Sequence, residues 1–227
     1  MDNNVNVIDR SHSRSIEINK VLKNTYLLVA ASLLVCAGAA GVAMAMNIAP
    51  ISPWLYLIVI FGMSFVMAKT ANSGLGIVMM FLFAGFLGFY AGPIINYYVA
   101  SFGSEVVVQS LGLTALIFFG LSGYVLKTGK DFTFMRGFLF TGTLVVVGLA
   151  LIYFVGQQFA GWHVSGLSLA ISAAMVLLIS GYILYDTSSI MRGEQTNYIL
   201  AAMSVFINIY VLFMNILHLV SAFSGDD

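Results

Sequence analysis

Charged side chains are scarce in this sequence. Asp, Glu, Lys and Arg make up 8% of the 227 residues, and nine cations balance nine anions to a net charge of zero. A water-soluble domain carries about 25% charged residues, so a soluble globular protein is excluded. The composition also provides no basic face, which a nucleic-acid-binding protein would need.

Cysteine and histidine are equally rare. Cys36 has no second cysteine with which to form an intrachain disulfide. His12, His163 and His218 are scattered along the chain, and three such histidines with one cysteine do not make a zinc framework. We therefore expect neither a metal nor a cofactor.

Long apolar stretches dominate what is present, since 60% of the residues are hydrophobic and the mean hydropathy is +0.99. A membrane-spanning helix needs about 20 apolar residues, and a barrel strand would alternate polar with apolar side chains. The sequence thus predicts an all-α bundle of seven transmembrane helices. The predicted helices are Thr25–Asn47, Ile51–Ala68, Gly74–Ile95, Val106–Leu126, Phe132–Val155, Val164–Tyr185 and Tyr198–Phe223.

The positions of the cations predict the orientation of this bundle. With seven helices, every Lys and Arg falls on one side of the membrane, which the positive-inside rule assigns to the cytoplasm. These cations are Arg10, Arg14, Lys20, Lys23, Lys69, Lys127, Lys130, Arg136 and Arg192. We expect a cytoplasmic polar tail over residues 1–24, the bundle over residues 25–223 and a short periplasmic C-terminus over residues 224–227.

Two local patterns concern the packing of the helices. Ala84, Gly88 and Gly92 recur at four-residue spacing on the third helix, and small residues on one ridge let helix backbones approach closely. Packing inside the bundle is the favoured interpretation, and a homo-oligomer seam is the alternative. The following Pro93 predicts that the third helix ends or kinks there.

A serine pattern is the only hint of catalysis. Gly120-Leu121-Ser122-Gly123 resembles the G-x-S-G motif of rhomboid proteases, in which His218 would be the base. A serine nucleophile needs its base within about 2.6–3.2 Å. Ser122 lies near the cytoplasmic end of its helix, whereas His218 lies roughly 20 Å deeper on the last one. We therefore do not expect an enzyme.

Asp186 is the carboxylate that continues the apolar run of the sixth helix, and an acid in such a place tends to be paired or functional. The stretch around it, GYILYDTSSI from Gly181 to Ile190, resembles the sixth-helix signature of the Bax-inhibitor (TMBIM) family. Further resemblance is carried by Asn19–Leu28 (NKVLKNTYLL), Lys69–Gly76 (KTANSGLG), Gly85–Asn96 (GFLGFYAGPIIN) and Asn197–Ile199 (NYI).

The resemblance implies a seven-helix bundle whose last helix is enclosed by the others. Some members conduct a pH-gated calcium leak, with two carboxylates sharing a proton. Asp186 matches the first carboxylate, but Asn208 stands at the second position, so the paired form of the gate is not expected. A latch between Asp186 and Lys69 or Arg192 is the remaining interpretation.

The likeness to bacterial members implies a protein of the cytoplasmic (inner) membrane that binds and modulates the AAA+ protease FtsH. The segment Met1–Lys23 is the expected handle for that partner. A calcium or proton leak centred on Asp186 is the alternative function.

The predicted orientation can be tested with reporter fusions. A reporter fused after Asp227 should be active only outside the cytoplasm, and one inserted at Lys130 only inside it, because an odd number of helices separates these points. Reporter activity on the same side for both fusions would rule out the seven-helix topology.

Overall fold

The computed structural model describes residues 2–162 and 164–224, without the side chains of residues 2–15, 160 and 165. His163 and the predicted C-terminal segment beyond Ser224 lie outside the described residues. The described chain forms seven long α-helices and one short 3₁₀ helix at Thr133–Met135. The α-helices are α1 (Asp2–Ala45), α2 (Pro53–Thr70), α3 (Leu75–Phe102), α4 (Ser104–Thr128), α5 (Arg136–Ala160), α6 (Ser165–Met191) and α7 (Tyr198–Ser224).

Each of the seven α-helices contains a stretch that is long and apolar enough to cross a membrane. The predicted fold class is thereby confirmed. α1 extends beyond its prediction, because the helix begins at Asp2 whereas the predicted membrane span begins at Thr25. The helical backbone therefore continues through the segment that the sequence analysis assigned to a polar tail.

Of the two alternatives predicted at Pro93, an end of α3 is wrong, whereas a kink stays a prediction. The helix runs through Pro93 and continues to Phe102. Proline removes one backbone hydrogen bond, but leaving the helix inside hydrocarbon would expose many more unsatisfied backbone groups. α3 ends instead at Gly103, a single residue with φ +87° that separates it from α4. Such a φ favours glycine, which has no Cβ to clash.

The chain divides into two compact units. The first comprises the chain through Ile94 together with Ser189–Phe206, and the second comprises Ile95–Ser188 together with the chain from Ile207. α3, α6 and α7 each contribute to both. α7 is the most buried of the spanning helices, with half of its most apolar window buried, compared with 6% for α2.

In the first unit, α3 lies directly against α1 along the ridge of small residues. Ala84 is fully buried. A Cβ on Gly88 would overlap the backbone carbonyl of Cys36, and a Cβ on Gly92 would lie 2.6 Å from the Cβ of Ala43. The small residues of α3 therefore pack against α1 inside the first unit.

The core of the second unit is formed between α5 and α6. Leu139, Val146 and Leu178 are its buried centre. Two glycines make room for it, since a Cβ on Gly142 would lie 2.6 Å from Leu178 and one on Gly181 would lie 2.7 Å from Leu139. Here too, the absence of a side chain lets large side chains of the facing helix fill the space.

The α1–α3 contact can be tested by adding one methyl group. Gly88→Ala should lower the thermal stability of the detergent-solubilised protein, by about 1–3 kcal/mol, because the added Cβ meets backbone that cannot move aside. Gly85→Ala is the matched control on the same helix, since its Cβ would meet only Val35 Cγ1 at an ordinary 3.7 Å. Equal effects of the two substitutions on the melting temperature would contradict this packing.

Candidate functional site

Asp186 and Asn208, the two residues singled out by the sequence, are in direct contact. The Asn208 amide Nδ2 donates a hydrogen bond to Asp186 Oδ2 at 2.8 Å. Asn208 is buried on α7 with 5% of its side chain exposed. This hydrogen bond joins α6 to α7 inside the second unit.

The two residues after Asp186 make similar contacts with other elements. Thr187 is buried, and its hydroxyl lies 2.8 Å from the hydroxyl of Ser122 on α4. Ser188 Oγ accepts the backbone N–H of Phe132 at 3.0 Å and donates to the carbonyl of Lys130 at 3.4 Å. We call Asp186, Thr187 and Ser188 the polar bridge of α6, because they reach α7, α4 and the α4–α5 turn respectively.

The sequence alone predicts no role for Thr187 or Ser188, although both residues belong to the family-like stretch GYILYDTSSI. A run of four polar residues at the end of an apolar helix reads as a solvated end. Only the packing of α4 and the α4–α5 turn against α6 shows that Thr187 and Ser188 are each 1% exposed.

The proposed latch partners lie near the ends of their helices. Lys69 is in the last turn of α2, and its Nζ lies 4.4 Å from the ring centroid of Phe65. Arg192 directly follows α6 and is exposed. The latch between Asp186 and either cation stays a prediction.

Ser122 and His218 have different partners. Ser122 is bonded to Thr187, as described above, whereas His218 Nδ1 lies 3.0 Å from the Tyr98 hydroxyl of α3. The Ser122 side chain thus takes part in helix packing, and the geometry gives no support to a serine nucleophile activated by His218.

In the first unit, two of the resemblance segments meet at the start of α7. Asn197 Oδ1 accepts the backbone N–H groups of Ile199 and Leu200, which makes Asn197 the N-cap of α7. Its Nδ2 donates to the Ala71 carbonyl and to Asn72 Oδ1 in the α2–α3 turn. A crevice of about 420 Å³ lies between the α2–α3 turn and the turn that leads from α6 into α7. Asn197 therefore has a structural role in the NYI segment.

The long apolar helices define the class of protein, a multi-pass membrane protein. Hydrogen bonds between polar side chains join its helices and turns. The family model described as "Inhibitor of apoptosis-promoting Bax1" matches residues 18–225. The chain belongs to this Bax-inhibitor family.

Three bacterial relatives cover nearly the whole chain. An uncharacterized membrane protein of Vibrio cholerae is 44% identical over 96% of both chains. An uncharacterized protein of Pseudomonas aeruginosa is 40% identical over 93% of both chains. The modulator of FtsH protease YccA of Escherichia coli K12 is 38% identical over 97% of this chain and 99% of its own length.

A double-mutant cycle tests the Asp186–Asn208 contact. Asn208→Leu should destabilise the detergent-solubilised protein by about 1–3 kcal/mol, because the carboxylate loses this donor in a partly buried place. Adding Asp186→Leu should cost less than the sum of the two single changes, since no polar group of the pair is then stranded.

Asn215→Leu serves as the control on the same helix. Within the described residues, its amide donates to the Val211 carbonyl of α7 itself, at 2.8 Å, so its removal should cost much less than that of Asn208. Strictly additive losses in the cycle, measured by thermal unfolding, would contradict a direct interaction between Asp186 and Asn208.

Proposed function

We propose that this protein is a non-enzymatic component of the bacterial inner membrane that binds the membrane-anchored protease FtsH and modulates its action. The observation that carries this proposal is the end-to-end similarity to YccA, whose name describes it as a modulator of FtsH protease. The alignment leaves almost no part of either chain unmatched, so no separate domain needs to be added or lost.

The arrangement of the helices supports a role that depends on binding. The turns between helices are short: Gly103 alone joins α3 to α4, and four residues join α2 to α3. α1, at 44 residues, is about 66 Å long, whereas the hydrocarbon core is about 30 Å thick. The part of α1 before the predicted span at Thr25 is therefore long enough to extend beyond the hydrocarbon core toward a partner.

A membrane-anchored AAA+ protease must pull its substrate out of the bilayer, starting from an accessible segment. In the proposed mechanism, FtsH engages the N-terminal segment Met1–Lys23. The polar bridge of α6 and the α1–α3 contact then resist extraction, because pulling on one helix breaks hydrogen bonds and packing with its neighbours. A protein that is engaged but slowly extracted occupies the protease and restrains its action on other membrane substrates.

Deletion of residues 2–14 tests the role of this segment. FtsH-dependent turnover should become several-fold slower, and co-purification with FtsH should decrease. The melting temperature should stay unchanged, because no residue of an apolar span is removed. Pulse-chase in cells with and without FtsH provides the measurement.

Deletion of residues 225–227 is the control, since these residues are predicted to lie on the opposite side of the membrane. An unchanged half-life after the N-terminal deletion would place the handle elsewhere. Failure of the full-length protein to co-purify with FtsH in mild detergent would overturn the proposed function itself.

A further inference from the structure

The α4–α5 turn carries three cations within ten residues. Lys127 lies in the last turn of α4, Lys130 in the connection and Arg136 at the first position of α5, and all three are exposed. Asp131 is the one acid among them, so the segment has a net charge of +2. Asp131 Oδ1 accepts the backbone N–H and the hydroxyl of Thr133, at 2.9 and 2.8 Å.

The backbone of this turn is fixed by neighbouring elements. Ser188 of the polar bridge bonds both the carbonyl of Lys130 and the N–H of Phe132. Gly129, with φ +62°, ends α4 by donating its N–H to Val125. The hydrogen bonds on both sides of Lys130 therefore set the positions from which the cations extend.

Among residues 16–159, 161, 162, 164 and 166–224, whose side chains the structure describes, Lys127 and Arg136 form no ion pair. The Nζ of Lys130 lies 5.5 Å from the ring centroid of Tyr124. A hydrogen bond with the Tyr124 side chain raises the pKa of Lys130, so its ammonium group stays charged. The first turn of α5 contains no acid, although the positive end of a helix favours anions. The electrostatics of the turn thus favour an external anion.

An apolar surface begins directly beside these charges. Phe134 of the short 3₁₀ helix is 79% exposed, and Phe138 and Phe140 at the start of α5 are 69% and 62% exposed. α5 is a spanning helix with little of its apolar window buried, so these rings face acyl chains. Cations immediately next to a spanning helix attract anionic lipid headgroups.

We propose that the α4–α5 turn binds the headgroup of an anionic phospholipid. Lys127, Lys130 and Arg136 contact the phosphate, and the acyl chains lie against Phe134 and the exposed apolar side chains of α5 that follow it. Arg and Lys are suited to phosphate because their donors form charge-assisted hydrogen bonds with its oxygens.

Lipid titration of the purified full chain in a neutral detergent tests this proposal. Phosphatidylglycerol and cardiolipin should be retained in native mass spectra and should raise the melting temperature, whereas phosphatidylethanolamine should do so far less. Lys130→Gln combined with Arg136→Gln should weaken anionic-lipid binding about tenfold or more. Both side chains are exposed, so the lipid-free melting temperature should not change.

Lys20→Gln combined with Lys23→Gln is the matched control, because it removes two exposed cations from α1 and leaves the turn intact. Ser188→Ala keeps every cation but removes the hydrogen bonds that hold the backbone on both sides of Lys130. Because the cations are then no longer held in position, this variant should also weaken lipid binding.

Several outcomes would overturn the lipid site. They are an equal loss of binding in the α1 control, full binding by Ser188→Ala, and an equal effect of phosphatidylethanolamine or inorganic phosphate on the parent. Unchanged lipid retention by Lys130→Gln/Arg136→Gln, accompanied by loss of FtsH, would assign the turn to an acidic protein partner instead.

Discussion

The structure depends on the need to satisfy every polar group in a solvent that offers no hydrogen bonds. Hydrocarbon cannot pair with a backbone N–H or carbonyl, so the chain crosses it as helices, and α3 continues through Pro93. Several buried hydroxyl groups follow the same rule, although Ser32 Oγ has no hydrogen-bond partner within the described part of the chain. Ser110 and Thr114 donate to carbonyls of their own helix at 2.7 Å, whereas the polar bridge of α6 pairs with other elements.

This constraint also explains how the helices associate. Lipid tails are as apolar as leucine, so burial of apolar surface gives little drive for helices to join, and close packing and hydrogen bonds must supply it. Gly88 allows the backbone of α1 to approach in the first unit, and Gly142 and Gly181 admit large side chains in the second. Interhelical hydrogen bonds in membranes average about 0.6 kcal/mol each. The association of the helices therefore comes from many small contacts acting together.

Residues of the family-like segments hold helices and turns together in this structure. Asp186, Thr187 and Ser188 join α6 to α7, to α4 and to the α4–α5 turn, and Asn197 caps α7 while holding the α2–α3 turn. These residues fix helices and turns relative to one another within each unit. Such a role suits a protein that acts as a partner of a protease, and Ser188 also links the polar bridge to the turn that we assign to an anionic lipid.

The sequence by itself determined the class of protein, the seven helices and the family. Composition and the length of apolar runs are local properties, and they decide directly whether a helix can span the hydrocarbon core. It also pointed to Asp186 and Asn208, through the resemblance. It misjudged the end of α3 at Pro93, since the cost of a proline depends on what surrounds the helix. The partners of Thr187, Ser188 and Asn197 were decided only by the tertiary structure, because a hydrogen bond between residues far apart in the chain exists only once the helices have packed.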